Sequence, residues 1–223
     1  MKANMAEPKS VISQIKKLGR PIFTTFELAA QSGKSSSTIT QSLNYLCRQG
    51  VVFKIYRGIW GETGGAVSAY AVIPFLLPRA RVYVSFVSAL HLHGIIGQIP
   101  RIITLASTTH TKIMKTSVAT YAVHRIAPSF FSGFAWYKGT GSFLIAEPEK
   151  ALVDSLYLSA RKNKQFGHFP ELDFSESFSF NRAFGWARRI PYPNIRTYVK
   201  KRLDEIKEQT HGINFKHLEK VKG

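Results

Sequence analysis

The spacing of apolar residues over the first sixty positions predicts three short helices followed by a hairpin. Val11, Ile12, Ile15 and Leu18 recur at helical intervals and stop at Gly19, with Pro21 just beyond. In FTTFELAAQSG, Thr24 and Glu27 stand at capping-box spacing, each able to satisfy a free backbone N–H at the helix start. Phe23 and Leu28 occupy the staple positions around them. This second helix ends near Gly33. The third, within KSSSTITQSLNYLCRQG, takes Ser35 or Ser36 as its N-cap and runs to Arg48. Ile39, Leu43 and Leu46 share its buried face, with Cys47 at the margin. From Val51 the period changes to two: Val51, Phe53 and Ile55 alternate with Val52, Lys54 and Tyr56. A turn at Tyr56-Arg57-Gly58 then leads into Ile59-Trp60.

Beyond the hairpin, residues 61–80 read as a loop and connector bounded by Pro74 and Pro78, and a second domain begins at Arg79. Ser85 is placed to cap a helix over 86–93 that Gly94 ends. RIITLAST (101–108), TYAVHRIA (120–127) and GSFLIA (141–146) read as strands, with the aromatic stretch FFSGFAWY before the last. Pro148 opens a helix through EPEKALVDSLYLSARKN whose Ala151, Leu152, Ser155, Leu156 and Ser159 lie on or near one face. NRAFGWARRIPYPNIRTYVKKRLDEIKEQ reads as a helical, basic end. No repeat interrupts the chain. The expected class is α+β: a winged helix-turn-helix with its connector over 1–78, then a mixed α/β domain over 79–223 that ends in basic helices.

The third helix has an unusual outer face. At 100° per residue, Ser37, Gln41, Asn44 and Arg48 lie opposite the apolar stripe, Thr38 and Tyr45 flank them on one side, and Thr40 lies on the other. No Asp or Glu occurs anywhere in residues 34–57. A helix in the major groove cannot carry carboxylates toward phosphates and gains from hydroxyls, amides and guanidinium groups on base edges. Gln41 and Asn44 suit adenine, and Arg48 suits guanine or phosphate. Lys34 and Ser36 stand at the positive end of the helix, where backbone phosphate is favoured. Lys54 and Arg57, on the wing, suit backbone or a neighbouring minor groove. The competing reading is a protein-binding adaptor with a wet helix face.

Composition agrees with a polyanion partner. The 223 residues carry 31 Lys and Arg against 13 Asp and Glu, a net charge of +18. Residues 1–78 hold 9 basic and 3 acidic groups and the remainder 22 and 10, so the excess is not confined to a tail. In residues 182–222 there are 11 basic and 4 acidic groups, which read either as a solvated helical face or as an accessory surface for nucleic acid. No apolar run approaches the ~20 residues of a membrane span, and the first residues lack the apolar stretch of a signal peptide. The single cysteine excludes an intramolecular disulfide framework and fits a reducing cytoplasm, near the nucleoid for a DNA binder.

Catalytic chemistry finds little purchase. His91 and His93, two apart on a helix, point away from each other and read as core or surface residues. Gly139-Thr140-Gly141-Ser142 is too short for a Walker loop, and no closely spaced carboxylate pair follows it to hold metals. Glu147, Glu149 and Asp154 read as the first turn and solvent face of a helix. No nucleophile-elbow sequence is present. No catalytic residue, metal ligand or cofactor is therefore expected.

With these stretches in view, the chain resembles the AbiEi-type antitoxin and transcriptional regulator family of bacterial type IV toxin–antitoxin systems. The resemblance rests on CRQGVVFKIYRGIWG, VSALHLHGIIGQIPRIITLAS, IAEPEKALVDSLY and the basic helical end, and spans roughly residues 9–203. It departs at the wing, where Gly58-Ile59-Trp60 stands in place of the Gly-X-Tyr often found there. What it implies is a cytoplasmic autorepressor that binds inverted repeats in double-stranded operator DNA, as a monomer or weak dimer cooperative on DNA. It also implies a C-terminal domain that opposes a nucleotidyltransferase-like toxin, directly or indirectly, in phage defence. The DNA role falls on Lys34, Ser36, Ser37, Thr38, Thr40, Gln41, Asn44, Tyr45, Arg48, Lys54 and Arg57; no residue is assigned the antitoxin role. The alternative is an interaction protein that neutralises a toxin by direct contact, with DNA binding secondary.

Overall fold

The computed structural model describes residues 10–138, 143–161, 169 and 171–220, the last ten of these as backbone only. They form a mixed α/β structure whose chain folds into two compact units that are not contiguous in sequence. The first takes the residues up to Arg79 together with Met114–Thr120 and Phe143; the second takes Ala80–Ile113, Tyr121–Lys138 and the remainder.

In the first unit, α1 (Val11–Leu18), β1 (Ile22–Thr24), α2 (Thr25–Ser32) and α3 (Ser36–Arg48) precede a hairpin of β2 (Val52–Tyr56) and β3 (Ile59–Glu62). The sheet order is β1-β3-β2, all antiparallel. Strand β1, absent from the sequence expectation, is three residues long and pairs through the Thr24 end of the capping box. Both halves of that box form: the Glu27 N–H donates to Thr24 Oγ1 at 3.1 Å, and the Thr24 N–H donates to the Glu27 carboxylate at 2.8 Å. Gly33, at φ +68°, adopts the left-handed geometry that lets α2 stop and α3 start within three residues. The core joins Val11, Ile15, Phe23, Leu28, Ile39, Leu43, Leu46, Val52 and Trp60, with Cys47 half-buried against it. Trp60 is sealed there, and its indole N–H donates to Thr25 Oγ1 at 3.0 Å.

Two apolar patterns were not as the spacing predicts. Ile12 is exposed, and Gln14 takes the buried place instead. In β2 the buried residues are Val52 and Ile55, three apart, while Val51 is exposed. The register shifts between Lys54 and Tyr56 opposite Trp60 and Ile59, a bulge that inserts one residue and turns Ile55 inward. The connector also contains structure: a 3-10 turn at Tyr70–Val72 runs into α4 (Ile73–Leu76), burying Val72, Ile73 and Leu76. At the outer edge of β2, Ser117 donates its N–H to the Ile55 carbonyl at 3.1 Å and its hydroxyl to the Lys54 carbonyl at 2.9 Å.

The second unit holds α5 (Phe86–Leu92) and all but Met114, Lys115 and Thr120 of a six-stranded sheet of β4 (Val82–Val84), β5 (Ile103–Ser107), β6 (Lys112–Lys115), β7 (Thr120–Arg125), β8 (Phe134–Trp136) and β9 (Leu144–Ala146). The six strands order as β6-β7-β5-β4-β9-β8. Pairing is parallel for β5–β7 and β4–β9, and antiparallel for β4–β5 and β8–β9. Strands β4, β6 and β8 were not foreseen; each is three or four residues long, too short for alternation to register. Helices α6 (Pro148–Arg161), α7 (Phe180–Arg188) and α8 (Pro193–Lys220) pack together, α8 burying Val199, Leu203 and Ile206. Helix α6 has no solvent face from Glu149 to Ser159, which corrects the expectation of a one-sided helix. No helix among the described residues is long and apolar enough to cross a membrane.

Candidate nucleic-acid interface

Helix α3 takes its N-cap from Ser35, whose hydroxyl accepts the Thr38 N–H at 3.1 Å and lies 2.9 Å from the Thr38 hydroxyl. The Lys34 amide donates to Ser32 Oγ at 3.2 Å, closing the turn before it. With Ile39, Leu43 and Leu46 buried, rotation by 3.6 residues per turn leaves Ser36, Ser37, Thr38, Gln41, Asn44 and Arg48 exposed, joined by Tyr45 with 56% of its surface free. Thr40 is half-buried.

The hydroxyls divide by what they already do. Thr40 Oγ1 donates to the Ser36 carbonyl at 2.7 Å, and Ser42 Oγ donates to the Thr38 carbonyl at 3.1 Å. Each has spent its proton inside the helix and can only accept from outside. Thr38 is held in the cap. The side chains of Ser36, Ser37, Gln41, Asn44 and Arg48 make no hydrogen bond or ion pair with any described residue, so their donors and acceptors all face water. Of the two cations foreseen on the hairpin, Lys54 is exposed with its ammonium 5.7 Å from the Trp60 ring centroid, and Arg57 is exposed in the turn. Phe26, on the first turn of α2, is 76% exposed and was not singled out from sequence; an aromatic at that position carries no pattern that marks it as outward.

The second unit holds a polar centre of a different kind. The Lys150 ammonium is sealed from solvent beside the Asp154 carboxylate one helical turn on, and also donates to Tyr83 Oη at 3.1 Å. Asp154 Oδ2 accepts from Tyr83 Oη at 3.0 Å and from Ser85 Oγ at 2.7 Å. The ammonium also lies 3.8 Å from the centroid of the Phe130 ring. Burial depresses the Lys150 pKa, opposed by the charge and hydrogen bond of Asp154 and the charge of Glu147. Burial, with the Asp154 carboxylate beside it, holds the Tyr83 hydroxyl well above the ordinary tyrosine range. The tyrosine therefore stays a neutral donor.

This arrangement corrects two expectations. Asp154 and Glu149 do not face solvent; both are buried, and Glu149 accepts from the Ser179 N–H at 2.9 Å and pairs with Arg182 at 2.7 Å. Ser85 does not cap α5 with its side chain; the hydroxyl is turned to Asp154, and Phe86 takes φ +56° to join β4 to the helix. That left-handed conformation in a bulky residue costs on the order of 1–3 kcal/mol and is held by complete burial. Gly133, at φ +77°, lies where a Cβ would meet the Trp186 ring at 2.6 Å and Lys150 Cγ at 3.1 Å. The i, i+4 Lys-Asp spacing in PEKALVD was the available signal for the pair, but that spacing equally describes an exposed surface bridge.

His91 and His93 do not converge: the imidazole N–H of His91 donates to the Ile96 carbonyl at 3.2 Å, and that of His93 to the Ala146 carbonyl at 2.7 Å. No group of three His, Cys, Asp or Glu suited to a metal occurs among the described residues. Gly139-Thr140-Gly141-Ser142 lies outside them. No protein-family model matches the chain, and a comparison with curated proteins finds no match.

Proposed function

We propose that the first unit is a winged helix-turn-helix that binds duplex DNA through α3, with the β2–β3 hairpin as the wing, and that the protein is a transcriptional autorepressor and the antitoxin of a type IV system. The observation that carries the DNA reading is the outer face of α3. It presents two unengaged amides and two unengaged serine hydroxyls, has Lys34 at one end and Arg48 at the other, and bears no carboxylate. In such a complex Gln41 and Asn44 read base edges, Ser36, Ser37 and Lys34 hold backbone phosphate at the helix's positive end, and Lys54 and Arg57 hold it from the wing. Thr40 and Thr38 contribute acceptor lone pairs and methyl groups, the latter suited to the thymine methyl. Tyr45 packs against sugar or base from the flank.

The antitoxin role rests on the sequence resemblance alone, and the neighbouring reading frame tests it: a nucleotidyltransferase-like product is expected there. For DNA binding, the test is titration of the upstream region against random duplex. Gln41→Ala and Asn44→Ala should each weaken the specific complex by about 1–3 kcal/mol while leaving the nonspecific one nearly unchanged. Equal losses on both duplexes defeat the base-reading roles, and no duplex binding by the native protein defeats the whole reading.

A further inference from the structure

The corner between α7 and α8 in the second unit carries features that α3 does not. Tyr192 sits between Pro191 and Pro193, so its backbone is confined on both sides, and the residue is 42% exposed. The Arg161 guanidinium, at the end of α6, lies 5.1 Å from the centroid of that ring and 5.4 Å from that of Tyr157, and it donates to Tyr157 Oη at 3.0 Å. It has no carboxylate partner among the described residues. Tyr198, one turn into α8 and 37% exposed, touches the same end of α6 through Ser159 at 3.2 Å. Arg188 and Arg189, both exposed, close α7 just before the corner, with Arg189 stacked 4.4 Å from the Trp186 centroid. Residues 183–203 include six cations and no acid.

From this geometry we infer a binding site for single-stranded nucleic acid, with Tyr192 and Tyr198 as base-stacking platforms and Arg161, Arg188 and Arg189 as phosphate contacts. Cations alone suit any polyanion. The aromatic faces narrow the choice, because a base offers its face only when it is not already stacked and paired in a duplex. A rigid, half-exposed tyrosine backed by a guanidinium loses little conformational freedom on accepting a base. Residues 183–203 bring no carboxylate to repel phosphate, and Arg161 has none as a partner among the described residues.

The test uses the full-length protein and fluorescence anisotropy with oligonucleotides of about 10 residues, as RNA, as single-stranded DNA, and as duplex of the same sequence. The single strands are expected to bind, and excess duplex should not displace them. The RNA and DNA arms show which backbone is preferred, and binding of either supports the site. Tyr192→Ala is expected to weaken single-strand binding about five- to tenfold, and Tyr192→Phe to restore it, since stacking needs the ring and not the hydroxyl. Arg161→Gln should lower the slope of log affinity against log salt between about 50 and about 200 mM. Three results overturn the assignment: no single-strand binding by the native protein, equal affinity of the Ala and Phe variants, or displacement by duplex or polyglutamate as effective as by single strand.

Discussion

Replacing Asp154 by alanine should be among the most damaging single changes in the second unit, and its size follows from what remains. Lys150 and Asp154 are both fully buried, so removing the carboxylate strands an ammonium whose one remaining hydrogen-bond partner among the described residues is Tyr83 Oη. The Phe130 face offsets a little of the loss. A buried charge deprived of its partner costs about 3–5 kcal/mol. For a chain of this length, at about 2–4 °C per kcal/mol, the second unit should melt some 10 °C lower, to order of magnitude. Lys150→Met/Asp154→Asn behaves differently. Neither charge survives, and the Asn carbonyl still accepts from Tyr83 and Ser85. A double-mutant cycle followed by urea unfolding should therefore return a coupling of about 2–3 kcal/mol, the double variant being less damaged than the sum of Lys150→Met and Asp154→Asn. A pH arm adds a second readout. In Asp154→Asn the main group opposing the burial effect is gone, so the folded-state pKa of Lys150 falls further below its ordinary 10.5. Between that lowered value and 10.5 the unfolded chain binds more protons than the folded one, and stability relative to the native protein recovers as pH rises. Additive single variants, with coupling under about 0.5 kcal/mol, or no recovery on raising the pH, refute the reasoning.

Other substitutions probe the remaining joints. Hydrogen bonds to Glu27 from Arg20 and Thr24 outweigh the raising effect of burial and hold its pKa below the ordinary value of 4.5; the stability this adds is present above 4.5 and lost as pH falls through the folded value. Glu27→Gln should accordingly flatten the acid limb of an unfolding curve, while Thr24→Ala costs about 1 kcal/mol at neutral pH by removing the cap. Trp60→Phe leaves the buried Thr25 hydroxyl without its indole donor and should cost about 1–3 kcal/mol in urea unfolding of the first unit. Gly133→Ala places a methyl group against Trp186 and Lys150 in a left-handed conformation, and should destabilise by more than about 1 kcal/mol in thermal melts. Lys54→Gln and Arg57→Gln should each reduce the salt slope of duplex binding by about 1 without changing sequence preference.

What could be read in advance depended on how far each signal reaches along the chain. The three helices of the first unit were legible because their starts and stops are local: Gly19 ends α1, Thr24 with Glu27 starts α2 and Gly33 ends it, and Ser35 starts α3. The exposed face of α3 followed from Ile39, Leu43 and Leu46 by rotation alone. Strand β2 was legible as a strand but not in its facing, because the bulge at Ile55 depends on its pairing with β3. Strand β4 is made by neighbours far off in sequence, Ile103–Ser107 and Leu144–Ala146, while β8, paired with the nearby Leu144–Ala146, is three residues long and too short for alternation to show. Polar residues in α6 were read as outward because charge is usually solvated. Here the cost of burial is offset by Tyr83 and Ser85, some seventy residues upstream, which no local pattern connects to Asp154.

The bonds from Ser117 to the Lys54 and Ile55 carbonyls also set an order of events during synthesis. The caps and turns of α1–α3 are complete within the first fifty residues and the hairpin that closes their core, through Val52 and Trp60, ends at Glu62, so these helices can pack once that length has left the ribosome. The outer rim of the hairpin cannot, because the residue that satisfies it is translated some sixty positions later. Until then β2, an edge strand, lacks the donors that Ser117 brings to the Lys54 and Ile55 carbonyls, and its margin stays open to another chain emerging nearby. A fragment cut at the end of the connector carries that gap permanently, so studies of the first unit should retain the chain through Thr120.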